Sequence, residues 1–341
     1  MDKILRVVVA GCGGISDLWF KALQGTPGVT IVGVVDLQEA SAIRRKSDYR
    51  LDSAQTGTDL STMLKQTQPD IVFDCTVPDA RSSIVQMALT HGCHVLSEKP
   101  MAANLDDARK LIKVAEQTKR LFAVMQNRRF DPRIRALRSF LDSGVMGKPT
   151  TLNSDFYLGA HFGGFRDKMP HVLLLDMAIH SFDQARVISG TDPVAVYCHE
   201  WNPPGSWYER DASAVALFEM SNGLVYTYRG SWCAEGLNTT WECDWKAIGT
   251  RGTITWNGAD EFRAQSVTEG EGLIRPSREV PFPPPEITPG DGHTHCIRDF
   301  IDCVRTGRTP ETICTENIKS LAMVFGAIES AQSGQRVCIK I

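Results

Sequence analysis

Residues Ile4 to Ala10 form an apolar run rich in valine, the pattern of a parallel strand buried on both faces, and the run leads straight into Gly11-Cys12-Gly13-Gly14-Ile15-Ser16. Ser16 to Gln24 reads as a helix, Pro27-Gly28 breaks the chain, and Val29 to Val35 forms a second apolar strand ending in Asp36. The alternation continues. Ile71 to Thr76 is a strand, followed by the Val77-Pro78 turn and a helix over about Ala80 to Thr90. His94 to Ser97 is a strand leading into Glu98-Lys99-Pro100, then comes a helix over about Leu105 to Thr118 and a strand from Leu121 to Gln126. Strands alternating with helices predict a doubly wound parallel sheet, in which ligands lie beyond the carboxyl ends of the strands. Thr76 and Glu98-Lys99 occupy such ends.

The second half is less regular. Val172 to Ile188 carries a helical apolar pattern, and about Thr315 to Ser333 is a final helix with Ile318, Leu321, Ala322, Phe325 and Ile328 at packing spacing. Between them lie the stretch Trp201 to Tyr208 and strands with Tyr226, Tyr228, Trp232, Trp241 and Trp245. These aromatic residues read mainly as core or subunit-interface packing. Gly270 to Pro289, with Pro283-Pro284-Pro285, reads as an extended connection crossing one domain rather than a boundary. No internal repeat is evident.

Composition changes the picture in three ways. A 42% apolar content and a charge balance of 37 basic against 40 acidic residues, net −3, exclude disorder and leave no electrostatic footprint for nucleic acid. At 341 residues the chain exceeds the roughly 250 to 300 at which one core stops growing. Two domains are therefore expected, at residues 1–126 and 127–341. No apolar run reaches the length of a membrane span, and the start lacks the pattern of a secretory leader, so a cytoplasmic protein without membrane partners is expected. Its ten cysteines contain no Cys-x-x-Cys pair and read as reduced thiols. The spacings of Cys93/His94 and His293/His295/Cys296 match no common zinc pattern, so no metal is expected.

The glycine turn carries candidate chemistry. Gly11 permits the tight turn, Gly13 lets the backbone approach a pyrophosphate, and Gly14 and Ile15 lead into a helix N-terminus with unpaired amides; Ser16 takes the third small position. Asp36 lies 20 residues after Ser16, where a carboxylate accepts hydrogen bonds from an adenosine ribose diol and repels a 2′-phosphate. NAD is therefore expected in preference to NADP. Arg44 and Arg45, which could otherwise hold a 2′-phosphate, read as solvated helix surface.

Taken together, Gly11 to Ser16, Glu98-Lys99-Pro100 and Asp176-Met177-Ala178-Ile179-His180 make the chain resemble the Gfo/Idh/MocA oxidoreductases over essentially its whole length. The similarity extends through His295 to Phe300 and Gly307-Arg308-Thr309-Pro310. It implies an N-terminal Rossmann domain and a C-terminal α+β domain on an open, mostly antiparallel sheet, which often mediates dimers or tetramers. It also implies NAD(P)-dependent oxidation of a sugar, polyol or related alcohol. Lys99 would contact the reacting hydroxyl, His180 would accept its proton, and Asp176 would bind substrate or position these groups. Thr76, Pro78, Glu98 and Lys99 complete the expected cofactor-binding set. Two positions depart from the pattern of many relatives: Arg81 stands where they have a histidine after the turn, which alters the expected cofactor rim, and Pro170-His171-Val172 replaces a run of glycines, bringing an extra imidazole toward the reacting centre.

The chemistry fits those residue types. Hydride loss from a carbinol needs a base for the hydroxyl proton, which suits His180; Asp176, four residues earlier, shares its face if Val172 to Ile188 is helical. Lys99 would stabilise developing alkoxide. His161, Arg166 and His171 join Lys99, Asp176 and His180 as candidate substrate contacts. Three alternatives stay open: a carbonyl or C=N reductase, a redox-neutral enzyme that oxidises and re-reduces its sugar, and a non-catalytic NAD-binding sensor.

Overall fold

The computed structural model describes residues 3–290 and 292–341; Met1 and Asp2, the start of the leader reading, and Asp291 lie outside the described residues. The chain alternates β1 (Leu5–Ala10), α1 (Ser16–Gln24), β2 (Val29–Val35), α2 (Glu39–Asp48), β3 (Gln55–Gly57), α3 (Leu60–Thr67), β4 (Ile71–Asp74), α4 (Pro78–Thr90), β5 (His94–Ser97), α5 (Leu105–Thr118) and β6 (Phe122–Val124). The six strands form one parallel sheet in the order β3-β2-β1-β4-β5-β6. Val7, Val8 and Val9 are fully buried, as the valine-rich run requires of a central strand covered on both faces. Strand order reverses between β1 and β4, and the glycine turn leaves the sheet at that point. Two of these helices have side-chain caps: Asp59 accepts the Thr62 amide before α3, and Asn104 accepts the Asp107 amide before α5.

The later elements are α6 (Pro132–Asp142), β7 (Pro149–Tyr157), α7 (Phe165–Lys168), a π-helix over Leu173–Ala178, α8 (Ile179–Ser189), β8 (Pro193–Trp201), β9 (Ser213–Met220), β10 (Val225–Ser231), β11 (Asp244–Gly249), β12 (Gly252–Trp256), β13 (Phe262–Val267) and β14 (Ser277–Glu279). They are followed by α9 (Gly292–Thr306), α10 (Cys314–Ser333) and β15 (Val337–Cys338). The nine strands run in the order β14-β13-β12-β11-β7-β10-β9-β8-β15, and every pair is antiparallel except β10 with β7. The period-2 alternation sorts side chains between the two faces: Ala214, Ala216 and Phe218 of β9 and Tyr226 and Tyr228 of β10 are buried, while Val215 and Leu217 face outward. Phe182 of α8 packs edge-on against Phe218, Tyr226 and Tyr228, so this helix covers the buried face.

Two compact units result, Met1–Asn127 with Pro289–Ile318, and Arg128–Thr288 with Lys319–Ile341. In the first, α9 returns to pack on α1, and Phe300 meets Phe73 of β4 at 6.3 Å. The Pro-rich segment expected to cross a single domain carries the short strand β14 and ends where the chain passes from the second unit to the first. Its composition predicted extended backbone, which has no means of signalling the destination of the chain beyond it.

Candidate functional site

The glycine turn is sterically fixed. Gly11 has φ +92°, and a Cβ there would lie 2.7 Å from the Cys75 carbonyl carbon and oxygen and 2.8 Å from the Thr76 nitrogen, so no side chain fits. A Cβ on Gly13 or Gly14 would meet nothing within 4 Å, which leaves open space above the turn. No side chain caps α1, and among the described residues the amides of Gly13, Gly14 and Ile15 have no acceptor. Asp36 is held by main chain: Oδ2 accepts the Cys12 amide at 2.7 Å and Oδ1 the Gln38 amide at 2.8 Å. A bare helix N-terminus, room beside it and an oriented carboxylate at the end of β2 fit a dinucleotide with a free ribose diol.

Two buried residues, Ser16 and Arg45, are built into the turn. Ser16 is fully buried and donates its hydroxyl to the Gly13 carbonyl at 2.7 Å, so its place is inside the turn. Arg45, expected on solvated helix surface, is buried instead. Its guanidinium donates to Ser16 Oγ at 3.1 Å, Asp17 Oδ1 at 3.1 Å and the Gly13 carbonyl at 3.0 Å. Arg45, in the second turn of α2, thereby adds a third donor to that carbonyl, beside the Ser16 amide at 3.2 Å and the Ser16 hydroxyl at 2.7 Å. Arg44 remains exposed.

The ends of β4 and β5 are joined by a buried network. Arg81, 1% exposed, donates from Nε to Oδ2 of the fully buried Asp74 at 3.2 Å, from NH1 to the Pro100 carbonyl at 2.6 Å, and from NH2 to the Thr76 carbonyl. Asp74 Oδ1 in turn accepts the Thr76 amide at 2.9 Å and its hydroxyl at 2.5 Å. Thr76 therefore offers only remaining lone pairs of its hydroxyl. Pro78 begins α4, where a missing amide costs nothing. Glu98 is also turned inward: Oε1 accepts the Trp19 indole at 2.7 Å and Oε2 its neighbour's Lys99 amide at 3.1 Å, with His293 Nε2 3.9 Å away. Lys99 follows at the strand end, half-buried.

In the second unit Asp176 lies in the π-helix and His180 one turn later in α8, so their four-residue spacing crosses from π to α geometry. His180 is 7% exposed. Arg166 of α7 reaches Asp176 through Nε at 2.8 Å and NH2 at 3.4 Å, with its guanidinium over the Phe162 and Phe165 rings, 4.9 Å from each centroid. His161 stacks on Trp207 at 3.7 Å and pairs with Glu235, both partners exposed. His171 has Nδ1 2.7 Å from Glu200 Oε2 and Nε2 3.3 Å from Gln332. The Glu200 carboxylate holds the imidazole above its ordinary pKa, against burial. The structure thus joins Arg166 to Asp176 and separates His161 and His171 into other pairs. Glu200 and Asp74 escaped the sequence reading because each is defined by a partner distant or buried in the fold. Among the described residues no group of three or more His, Cys, Asp or Glu side chains is placed to hold a metal ion.

Residues 5–126 match the oxidoreductase family with NAD-binding Rossmann fold of the Gfo/Idh/MocA group, and residues 134–255 match a Gfo/Idh/MocA C-terminal domain. The chain belongs to the Gfo/Idh/MocA family. An uncharacterised protein of Sinorhizobium fredii is 26% identical over 98% of this chain and 96% of its own length. The inositol 2-dehydrogenase of Rhizobium meliloti is 28% identical over 98% of this chain and 99% of its own. Among solved structures, an oxidoreductase of Agrobacterium radiobacter in complex with NAD+, L-tartaric acid and magnesium superposes with a TM-score of 0.87 at 21% identity, covering 99% of both chains. As a member of the Gfo/Idh/MocA family the protein is an NAD-binding oxidoreductase with a Rossmann domain.

Proposed function

We propose that the protein is an NAD-dependent dehydrogenase acting on a CH–OH group of a sugar, polyol or cyclitol. The observation that carries this reading is the near full-length similarity to an inositol 2-dehydrogenase, in a chain that has Asp36 at the end of β2, Lys99 after β5 and Asp176 and His180 four residues apart. NAD, when bound, supplies the hydride acceptor. Gly11, Gly13, Gly14 and Ile15 receive its pyrophosphate, and Asp36 its adenosine ribose. The Lys99 ammonium stabilises the alkoxide formed as the hydroxyl proton leaves, and His180 takes that proton. Asp176, bonded to Arg166, orients substrate hydroxyls.

In this reading residues 1–126 hold the cofactor and residues 127–341 supply substrate recognition and self-association, with 289–318 packed back on the first unit. A cytoplasmic setting agrees with ten free thiols, and no helix among the described residues is long and apolar enough to cross a membrane. The test is NADH absorbance with purified protein, NAD or NADP, and a panel of inositols, aldoses, alditols and sugar acids. Robust reduction of NAD by one stereoisomer is expected, falling roughly 100-fold or more in His180→Ala and in Lys99→Ala, within the range of one acid-base or electrostatic group. Unchanged turnover in both variants overturns their assignment. Silence across the panel with tight NADH binding favours the redox-neutral or sensor readings.

A further inference from the structure

His171 sits immediately before the helix that carries Asp176 and His180, and its backbone is left-handed, with φ +53°. That region suits glycine; among other residues histidine, asparagine and aspartate tolerate it best, and a side chain there persists when its surroundings hold it. Here they do. The ring is gripped from two elements: Nδ1 lies 2.7 Å from Glu200 Oε2 at the end of β8, and Nε2 lies 3.3 Å from the Gln332 amide of α10. Glu200 is itself buried, its side chain 4% exposed, so the pair is shielded from solvent competition. Asp211 Oδ2 adds a second carboxylate 3.8 Å from Nδ1; Arg210 and His199 are the other charged or titratable groups acting on the pair. The consequence reaches the next turn. The carbonyl of His171 accepts the Leu175 amide at 2.9 Å, the bond with which the helical segment begins, and the π-stretch that follows displaces Asp176 relative to a regular α-helix.

We propose that His171 is a positioning residue: its ring, clamped by Glu200 and Gln332, locks a left-handed residue at the helix start and thereby fixes the π-turn from which Asp176 projects. Residue 171 would then act through the backbone of its helix and not by touching substrate, since both ring nitrogens are engaged within the unit. The proposal rests on the reading of Asp176 and His180 as the substrate-handling pair, but its geometry can be tested separately.

The experiment is hydrogen exchange by mass spectrometry on the full-length protein and on His171→Ala, His171→Gly and Glu200→Gln, together with NADH fluorescence titration and NAD reduction with myo-inositol. Peptides covering 172–180 are expected to exchange at least tenfold faster in all three variants, with peptides of β9 and β10 unchanged. NADH affinity is expected to stay within twofold while kcat with myo-inositol falls at least fivefold. His171→Gly relieves the backbone but removes the clamp, and Glu200→Gln keeps the shape but removes the charge, so folding of either variant suffices for the test. Wild-type protection of 172–180 in either one overturns the proposal. No turnover of myo-inositol by the wild type overturns that substrate alone and leaves the exchange result to decide the role of His171.

Discussion

Asp36 shows what a single carboxylate can settle. Its two oxygens are oriented by the Cys12 and Gln38 amides, so the group is fixed before any cofactor arrives. Replacing it by alanine removes both the diol acceptor and the charge opposing a 2′-phosphate. Asp36→Ala is expected to raise the ratio of NADP to NAD use, in kcat/KM, by about tenfold or more, equivalent to one charge-assisted interaction of roughly 1.5–3 kcal/mol. An unchanged ratio from initial rates with both cofactors removes the basis for NAD preference. His171 provides a pH dependence with a definite sign. Glu200 raises its folded-state pKa above that of the unfolded chain, so the pair stabilises fully below the unfolded value of about 6.5 and less as pH rises through the folded one. The melting-temperature gap between wild type and Glu200→Gln is therefore expected to be larger at pH 6 than at pH 9. A gap that grows with pH contradicts the upward push of Glu200 on the His171 imidazole. Asp36 was legible because an acid ending the second apolar strand, 20 residues after Ser16, is a recurrent spacing of dinucleotide-binding folds. Glu200 was not, because its role depends on a histidine 29 positions earlier, brought near only by tertiary packing.

Elements, too, differed in legibility for a physical reason. The buried strands β1, β2, β4 and β5 announce themselves as apolar runs with glycine or proline at their ends. The edge strand β3 is only Gln55-Thr56-Gly57 and exists through pairing with β2, so no local pattern marks it. The π-turn at Leu173–Ala178 shares its apolar composition with an α-helix, and six residues are too few to separate the periods. The helix after it is tied down by charge: Arg129 donates to Asp183 of α8 at 2.8 and 2.5 Å, and Ser320 Oγ of α10 donates to Asp183 Oδ1 at 2.7 Å. Arg129→Met removes the cation bonded to the buried Asp183 carboxylate and leaves Arg186, 3.9 Å away, as its cationic neighbour. It is expected to cost about 3–5 kcal/mol in urea unfolding, whereas Arg129→Met with Asp183→Leu is expected to recover much of that loss. Equal destabilisation by the single and double variants would mean that packing, not the lost ion pair, sets the cost.

At the scale of the second unit, α8 covers one face of the nine-stranded sheet at β9 and β10, while alternate residues of β8 and β9 are exposed on the other. Register aligns Tyr197, Leu217 and Thr227 in one row across β8, β9 and β10, and His199, Val215 and Arg229 in the next. Tyr197 is 50% exposed and Leu217 36% exposed, with Val194, Val215 and Trp201 also outward on the same two strands. These exposed apolar side chains lie on two paired strands instead of being scattered over the surface. A stable interface buries ~800 Å² per partner, more than two strands present, so a contact through these rows would extend onto the neighbouring strands of the sheet. A second copy can meet this face by a twofold axis, which pairs each row with itself and satisfies both subunits at once. Self-association, implied by the family resemblance, is therefore expected to include β8 and β9. Light scattering of the wild type should give a dimer or tetramer mass, and Tyr197→Glu with Leu217→Glu should shift it to a smaller species. Because both side chains point away from the helices that cover the buried face, the variant should keep its fold and its NADH affinity. An unchanged assembly mass places the contact elsewhere, and a monomeric wild type removes the assembly itself.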